Sequence, residues 1–238
     1  MRTNTTLVIN PKGGSGKTTV TTNLASYFAA QGLATAILDY DPQGSSLNWL
    51  KLRDAQAPRI HGANGAPARP GRLRSLDMHV PPATRQLVID APAGASGLLL
   101  QELLARTDCI VIPVAPSAID IHATANFIRD LLLAGRIRAR NIRLGVVANR
   151  VRRSMPVYQP FERFLNSLNL PLLTRLSDSD VFLDAAETGV GIFEMDPLAS
   201  SEAREQFRPI ATFADPAAAA RPAVPASNVI PLTQPRFA

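Results

Sequence analysis

The chain has 238 residues, 46% of them apolar and only 5% aromatic, with a net charge of +6 and a pI near 10.2. That size supports one substantial core. No apolar run approaches the roughly 18 to 20 residues of a membrane-spanning helix, and Met1-Arg2-Thr3 leads into an apolar strand with no secretory leader expected. The basic balance admits two readings, a polyanionic partner (nucleic acid or anionic lipid) or simply an Arg-rich composition.

Along the chain, short aliphatic runs alternate with longer amphipathic stretches, the signature of βαβ units. Strands are expected at Thr6–Asn10, Ala34–Asp39, Gln86–Asp90, Cys109–Val114, Leu144–Asn149 and Leu170–Thr174. Helical patterns lie near Lys17–Gln31, Gly97–Arg106, Ile119–Ala134, Pro156–Leu168, Val181–Glu187 and Ser200–Phe213. The fold class is therefore α/β, a doubly wound, mostly parallel sheet with helices on both faces. Residues 54–85, dense in Gly, Pro and Arg, read as a surface excursion with one short strand and not as a second domain. The domain is placed at 1–213. Residues 214–238 form an Ala/Pro tail whose prolines oppose a helix, and disorder is expected there. The single cysteine, Cys109, cannot form an internal disulfide. Set in Asp108-Cys109-Ile110-Val111-Ile112, it reads as a packing residue in a reducing cytosol.

The strongest signal lies where the first strand meets the first long helix: Lys12-Gly13-Gly14-Ser15-Gly16-Lys17-Thr18-Thr19. Glycines let the backbone curl so that successive N–H groups face phosphate oxygens, and the helix beginning near Lys17 adds its positive N-terminal end. In such a loop Lys17 serves the β- and γ-phosphates of ATP, and the Thr18 hydroxyl serves Mg²⁺. Asp39, Asp41 and Asp90 follow aliphatic strands, at the carboxyl edge where α/β sheets bind ligands. Convergence of three carboxylates would call for a cation. A strand-end cap is the alternative role for Asp39.

The ordinary pattern, Gly-x-x-x-x-Gly-Lys-Thr, would place glycine at position 11, where Pro11 stands. A lysine preceding two glycines, Lys12-Gly13-Gly14, resembles the deviant loop of the ParA/MinD family of ATPases. The resemblance spans about residues 5–210. It includes Asp39-Tyr40-Asp41-Pro42-Gln43-Gly44-Ser45-Ser46, Leu87-Val88-Ile89-Asp90-Ala91-Pro92-Ala93-Gly94, Val111-Ile112-Pro113-Val114-Ala115-Pro116-Ser117 and Val147-Ala148-Asn149-Arg150. It implies that Asp90 holds Mg²⁺ through water, Asp41 orients the attacking water, Asp39 supports the metal shell and Asn149 reads adenine. It also implies that Lys12 reaches the phosphates of a second subunit, so that hydrolysis follows ATP-dependent homodimerisation. The alternative is a Lys12 that touches only its own nucleotide.

Family members of this kind position cargo through DNA or membrane binding and a cargo-bound activating protein. Pro216, Pro222, Pro225, Pro231 and Pro235 argue against a C-terminal membrane helix. Between Asp130 and Glu162 no acidic residue occurs, whereas Arg136, Arg138, Arg140, Arg143, Arg150, Arg152 and Arg153 do. Of these Arg136, Arg138, Arg140, Arg152 and Arg153 are the candidate contacts to non-specific DNA, with Arg152 and Arg153 alternatively facing the nucleotide or a second subunit. The resemblance thus implies a cytoplasmic, nucleoid-associated positioning ATPase of the short type, with no DNA-binding helix pair expected ahead of the first strand. One cysteine argues against an iron–sulfur relative, and a tail without tyrosine argues against a tyrosine-kinase relative. A phosphate-transferring enzyme of the dethiobiotin-synthase kind is the alternative, opposed by Lys12 and Asp41-Pro42-Gln43.

Overall fold

The computed structural model describes residues 2–67, 73–134, 137, 140–215 and 217. In chain order the elements are β1 (Asn4–Val8), α1 (Lys17–Ala30), β2 (Thr35–Asp39), α2 (Ser45–Leu52), β3 (Ile60–Asn64), α3 (Arg74–Asp77), β4 (Gln86–Asp90) and α4 (Gly97–Ala105). Then follow β5 (Cys109–Val114), α5 (Ala118–Ala134), β6 (Arg143–Val151), α6 (Tyr158–Ser167), β7 (Leu172–Ser177), α7 (Asp180–Thr188) and α8 (Ser201–Ala214).

The strands form one sheet in the order β3-β2-β4-β1-β5-β6-β7, and every neighbouring pair runs parallel. β2, β4 and β5 are buried along their whole length, as strands covered on both faces must be, which explains their unbroken aliphatic sequences. Alternate side chains feed two core layers. Val8, Ile37, Val88, Val111 and Val147 pack with Val20, Leu24, Phe28, Trp49, Phe182 and Phe207 from α1, α2, α7 and α8. Leu7, Leu38, Ile89, Ile112 and Val146 pack with Leu103, Phe127, Leu131, Phe161 and Leu165 from α4, α5 and α6. Each fully buried side chain of this kind contributes about 1.5–3 kcal/mol.

From the central strand β1 the chain winds outward through β2 and β3, returns at β4, then crosses to β5, β6 and β7. That reversal opens a crevice at the carboxyl ends of β1, β4 and β5, the place where such sheets bind ligands.

The structure follows the sequence reading in the class and order of its main elements and departs from it in several element bounds and in the short helices α2 and α3. β1 and β7 are shifted, to Asn4–Val8 and Leu172–Ser177. The short strand within residues 54–85 is β3, the sheet edge, paired along Thr35–Asp39. Helix α2 had no counterpart in the sequence reading; it is only eight residues long and is nucleated by side chains from elsewhere in the fold. α8 closes at Ala214, one residue beyond the expected domain end. The expected disordered tail, apart from Ala214, Asp215 and Ala217, lies outside the described residues. Cys109 is fully buried and free; burial pushes its thiol up to about 12, so it packs and does not react.

Candidate nucleotide site

The loop from Pro11 to Gly16 is fixed from both sides. Asn10 anchors its start: the side-chain amide donates to Pro113 O (2.8 Å) and Thr124 Oγ1 (3.2 Å), while Oδ1 accepts the Lys12 N–H (2.9 Å). Gly94 N–H donates to Pro11 O at 3.0 Å, tying the chain after β4 to the same loop. Gly14 and Gly16 have φ of 75° and 94°, the left-handed region that side chains disfavour. Gly16 has a second reason to be glycine. A Cβ there would lie 1.9 Å from Asn149 Nδ2, which donates to Ser15 O at 3.0 Å. Asn149, 4% exposed, thus sits on the back of the loop at the end of β6.

Helix α1 begins at Lys17 with no side-chain cap. Its first N–H groups therefore face the loop opening, the arrangement that receives an anion. The buried Ser15 hydroxyl has no hydrogen-bond partner among the described residues. Lys17 is 7% exposed, and its Nζ donates to Lys12 O at 2.9 Å. Burial lowers the Lys17 pKa, with Asp90 and Asp41 acting in the opposite direction. Gly13 and Gly14 are exposed on the outer rim, and Lys12 and Thr19 are half-buried.

The three carboxylates take different positions. Asp90 accepts the Thr18 hydroxyl on Oδ2 at 3.0 Å, and the same oxygen accepts the Ser46 hydroxyl in a shorter bond. Burial pushes Asp90 up to about 7, with neighbouring Asp39 adding to the rise and both hydroxyls and Lys17 opposing it. Asp39, fully buried, is engaged by backbone: Oδ1 accepts Asp41 N–H (2.9 Å), and Oδ2 accepts Ser46 N–H (3.1 Å) and Leu47 N–H (3.3 Å). It caps the first turn of α2, and its burial raises its pKa. Asp41, half-buried, closes the turn into α2 by accepting Gln43 N–H at 2.9 Å. Among the described residues no group of three His, Cys, Asp or Glu side chains could hold a metal ion. Asp39 interacts with both Asp41 and Asp90, and Asp41 and Asp90 with Lys17, but backbone N–H groups engage Asp39 and Asp41, so Asp90, flanked by two hydroxyls, is the carboxylate tied to the loop.

This set fits a magnesium–phosphate group. Mg²⁺ takes few protein ligands and keeps waters and phosphate oxygens for the rest, so Thr18 with Asp90 behind it suffices. Lys17, the unpartnered Ser15 hydroxyl and the uncapped N–H groups of α1 supply the charge and donors that a phosphate chain requires.

Residues 6–192 match the CobQ/CobB/MinD/ParA nucleotide-binding domain family. The chain belongs to this family. Among its relatives, maintenance of carboxysome distribution protein A of Halothiobacillus neapolitanus is 27% identical over 206 residues, covering 84% of this chain and 92% of the relative. The chromosome-partitioning ATPase Soj of Thermus thermophilus is 31% identical over 149 residues, 51% of this chain and 59% of the relative. The fold of MinD from Pyrococcus horikoshii, solved with Mg-ADP, superposes with a TM-score of 0.68 at 18% identity, covering 91% of this chain and 98% of that one. An ATP complex of a Cyanothece McdA variant gives a TM-score of 0.65 at 13% identity, covering 89% and 96%.

In this MinD/ParA-type domain the described arginines of the run are divided between the two ends of β6. Arg140 is exposed ahead of β6, at the amino edge of the sheet, whereas Arg150, Arg152 and Arg153 are at the carboxyl edge near the nucleotide loop. Arg152 pairs with Asp178 at 2.6 Å, and Arg143 donates to the carbonyls of Phe213 and Ala214 at the end of α8. Arg136 and Arg138 lie outside the described residues. Two site residues carry no assigned role in the sequence reading, Asn10, which ends the expected first strand, and Ser46, which ends the motif Asp39 to Ser46. Both are short polar side chains at strand or helix ends in or next to recognised motifs, and that placement was the available signal.

Proposed function

We propose that this P-loop ATPase is an ATP-driven positioning switch: a homodimer in its Mg-ATP state that holds non-specific DNA and releases it when a cargo-bound activating protein stimulates hydrolysis. The observation that carries the reading is the division of labour between two lysines on one loop. Lys17 is buried and bonded to the loop's own carbonyl, whereas Lys12 stands beside the exposed Gly13 and Gly14 on the rim. A buried lysine serves the phosphates of its own chain; a rim lysine is placed to serve those of a facing subunit.

Bound Mg²⁺ supplies charge neutralisation on the β- and γ-phosphates. The chain's own groups do the remainder. Ser15 and the α1 N–H groups bind phosphate oxygens, and Gly13 to Thr19 wrap the phosphate chain. Thr18 and Asp90 hold the metal shell, while Asp39 steadies it indirectly by fixing α2 and Ser46. Asp41 orients the attacking water at the open side of the site, and Asn149 supports the loop on the side assigned to adenine. Lys12 from the second subunit neutralises charge that one protomer leaves uncompensated in the transition state. Among the described residues no helix is long and apolar enough to cross a membrane, and the +6 charge favours the nucleoid as the surface engaged. The names of the carboxysome-distribution and chromosome-partitioning relatives support a cargo-positioning role, which places this chain's work in the cytoplasm.

Lys12→Gln tests the reading. ATP turnover is expected to fall by at least about 100-fold, the scale of losing a group that stabilises phosphoryl-transfer charge. Nucleotide binding by the monomer should persist, and dimer formation with ATP should be lost in sedimentation. Wild-type turnover in this variant would overturn the cross-subunit role.

A further inference from the structure

Helix α2 is pinned at both ends by buried polar groups, and one of its pins is the metal-site carboxylate. At its start, Ser46 is fully buried; its N–H donates to Asp39 Oδ2 and its hydroxyl to Asp90 Oδ2. Midway, Trp49 Nε1 donates to Ala185 O in α7 at 2.9 Å. Just past its end, Arg53 forms an ion pair with Glu194, the two side chains being 6% and 2% exposed. The Arg53 guanidinium also donates to Gly189 O (3.1 Å) and Pro58 O (2.9 Å) and lies 5.3 Å from the centre of the Trp49 ring. Glu194 in turn accepts Gly191 N–H at 2.8 Å.

We propose that Ser46 is a positioning residue for Asp90, and that α2 carries the state of that carboxylate to α7 and to the loop 189–194. The proposal rests on the nucleotide reading of the site. Two hydroxyls share Asp90 Oδ2, those of Thr18 and Ser46. Thr18 is the one drawn toward a metal, which leaves Ser46 as the hydroxyl that keeps the buried carboxylate in place. A hydroxyl bonded behind such a carboxylate orients the groups that touch the ion. Ser46 belongs to a helix of only eight residues, so a shift of its hydroxyl moves the first turn. Trp49 and Arg53 cannot stay behind without leaving buried donors unpaired. Buried bonds therefore join the metal site to α7 without interruption.

The experiment measures ADP affinity of the full chain by calorimetry with and without Mg²⁺, together with hydrogen exchange over residues 181–194. In wild type, Mg²⁺ tightens ADP binding and Mg-ADP slows exchange in α7. In Ser46→Ala the ratio of the two affinities is expected to fall about tenfold. A residue that merely props the fold would weaken both affinities together, and a wild-type ratio in this variant overturns the proposal. Trp49→Phe keeps an aromatic ring beneath Arg53 and removes the bond to Ala185. It should retain the wild-type Mg²⁺ ratio and lose the slowing in α7; wild-type slowing there overturns the relay. Wild-type protein whose ADP binding ignores Mg²⁺ would instead overturn the nucleotide reading on which the proposal stands.

Discussion

The phosphate loop and the arginine-rich stretch around β6 are both conspicuous in the sequence, yet they fold in opposite ways. Residues 10–18 condense into one site in which Asn10, Ser15 and Lys17 are buried, and short hydrogen bonds from β5, β6 and the chain after β4 lock the backbone. The described arginines flank or end a nine-residue strand, so Arg140 and Arg152, beyond its two ends, lie on the order of 30 Å apart at about 3.3 Å per residue. The difference is one of mechanism. A loop whose geometry is set by glycine φ values and local bonds works only if its residues stay adjacent. A charge field needs no adjacency, because each exposed arginine acts on the potential separately.

The largest effect expected on the condensed side, after that of Lys12, comes from Asp90. Its pKa is about 7 in the folded chain against about 4 unfolded. In the nucleotide-free, Mg-free protein, the folded form therefore binds a proton that the unfolded chain has already lost between about pH 4 and 7. Stability from this group is fully present below about pH 4 and is lost as pH rises through about 7, at no more than ~1.4 kcal/mol per pH unit. Asp90→Asn should flatten that slope in thermal unfolding measured between about pH 5 and 8. Mg-nucleotide should reverse its sense in wild type, because a cation beside the carboxylate favours the charged form. Equal Mg-nucleotide stabilisation at both ends of that range would detach Asp90 from the metal.

On the dispersed side, DNA binding should separate the two ends of β6. Neutralising Arg152 and Arg153 together should reduce the slope of log affinity against log salt by about two, and Arg140 alone by about one, if each contacts phosphate. The nucleotide loop is untouched in either case, so ATP-dependent dimerisation should survive. Arg152 has the weaker claim because Asp178 already faces it. Its exposed pair contributes little to stability, on the order of 0–1 kcal/mol, so losing it should not unfold the chain. An unchanged salt slope at one end assigns the DNA surface to the other, and no ATP-dependent binding to random duplex at low salt would remove DNA from the proposal.

The same contrast explains what could be read before the fold was known. β2, β4 and β5 were legible because double burial demands unbroken aliphatic runs. The phosphate loop was legible because its geometry is written in glycines. β3 was faint because it is an edge strand, Ile60-His61-Gly62-Ala63-Asn64, with only Ile60 and Ala63 buried. α2 was invisible because its first turn is held by Asp39, a side chain from another element, and its anchor is a single tryptophan. The split of the arginines was legible in part, since the expected strand Leu144–Asn149 already sets Arg140 and Arg143 ahead of it and Arg150, Arg152 and Arg153 after it.

The smallest effect lies where the two regions meet. Arg150 follows Asn149 in sequence, is exposed, and adopts φ 53° at a register shift between β6 and β7. Among the described residues the other non-glycine residues with positive φ are both asparagines, Asn141 and Asn169, which tolerate that region. For arginine the left-handed conformation costs roughly 1–2 kcal/mol, while glycine loses about 0.5–1 kcal/mol more backbone entropy on folding than a residue with a side chain. Arg150→Gly should therefore raise stability by a net ~0.5 kcal/mol, a shift of about 1–2 °C in Tm for a domain of this size. Arg150→Ala keeps the strain and should gain nothing. Strain of this kind persists where surrounding structure enforces it and clusters at ligand sites. The more stable glycine variant should accordingly bind nucleotide or DNA less well than wild type. Equal stability of the glycine and alanine variants would show that no strain is stored at this backbone position.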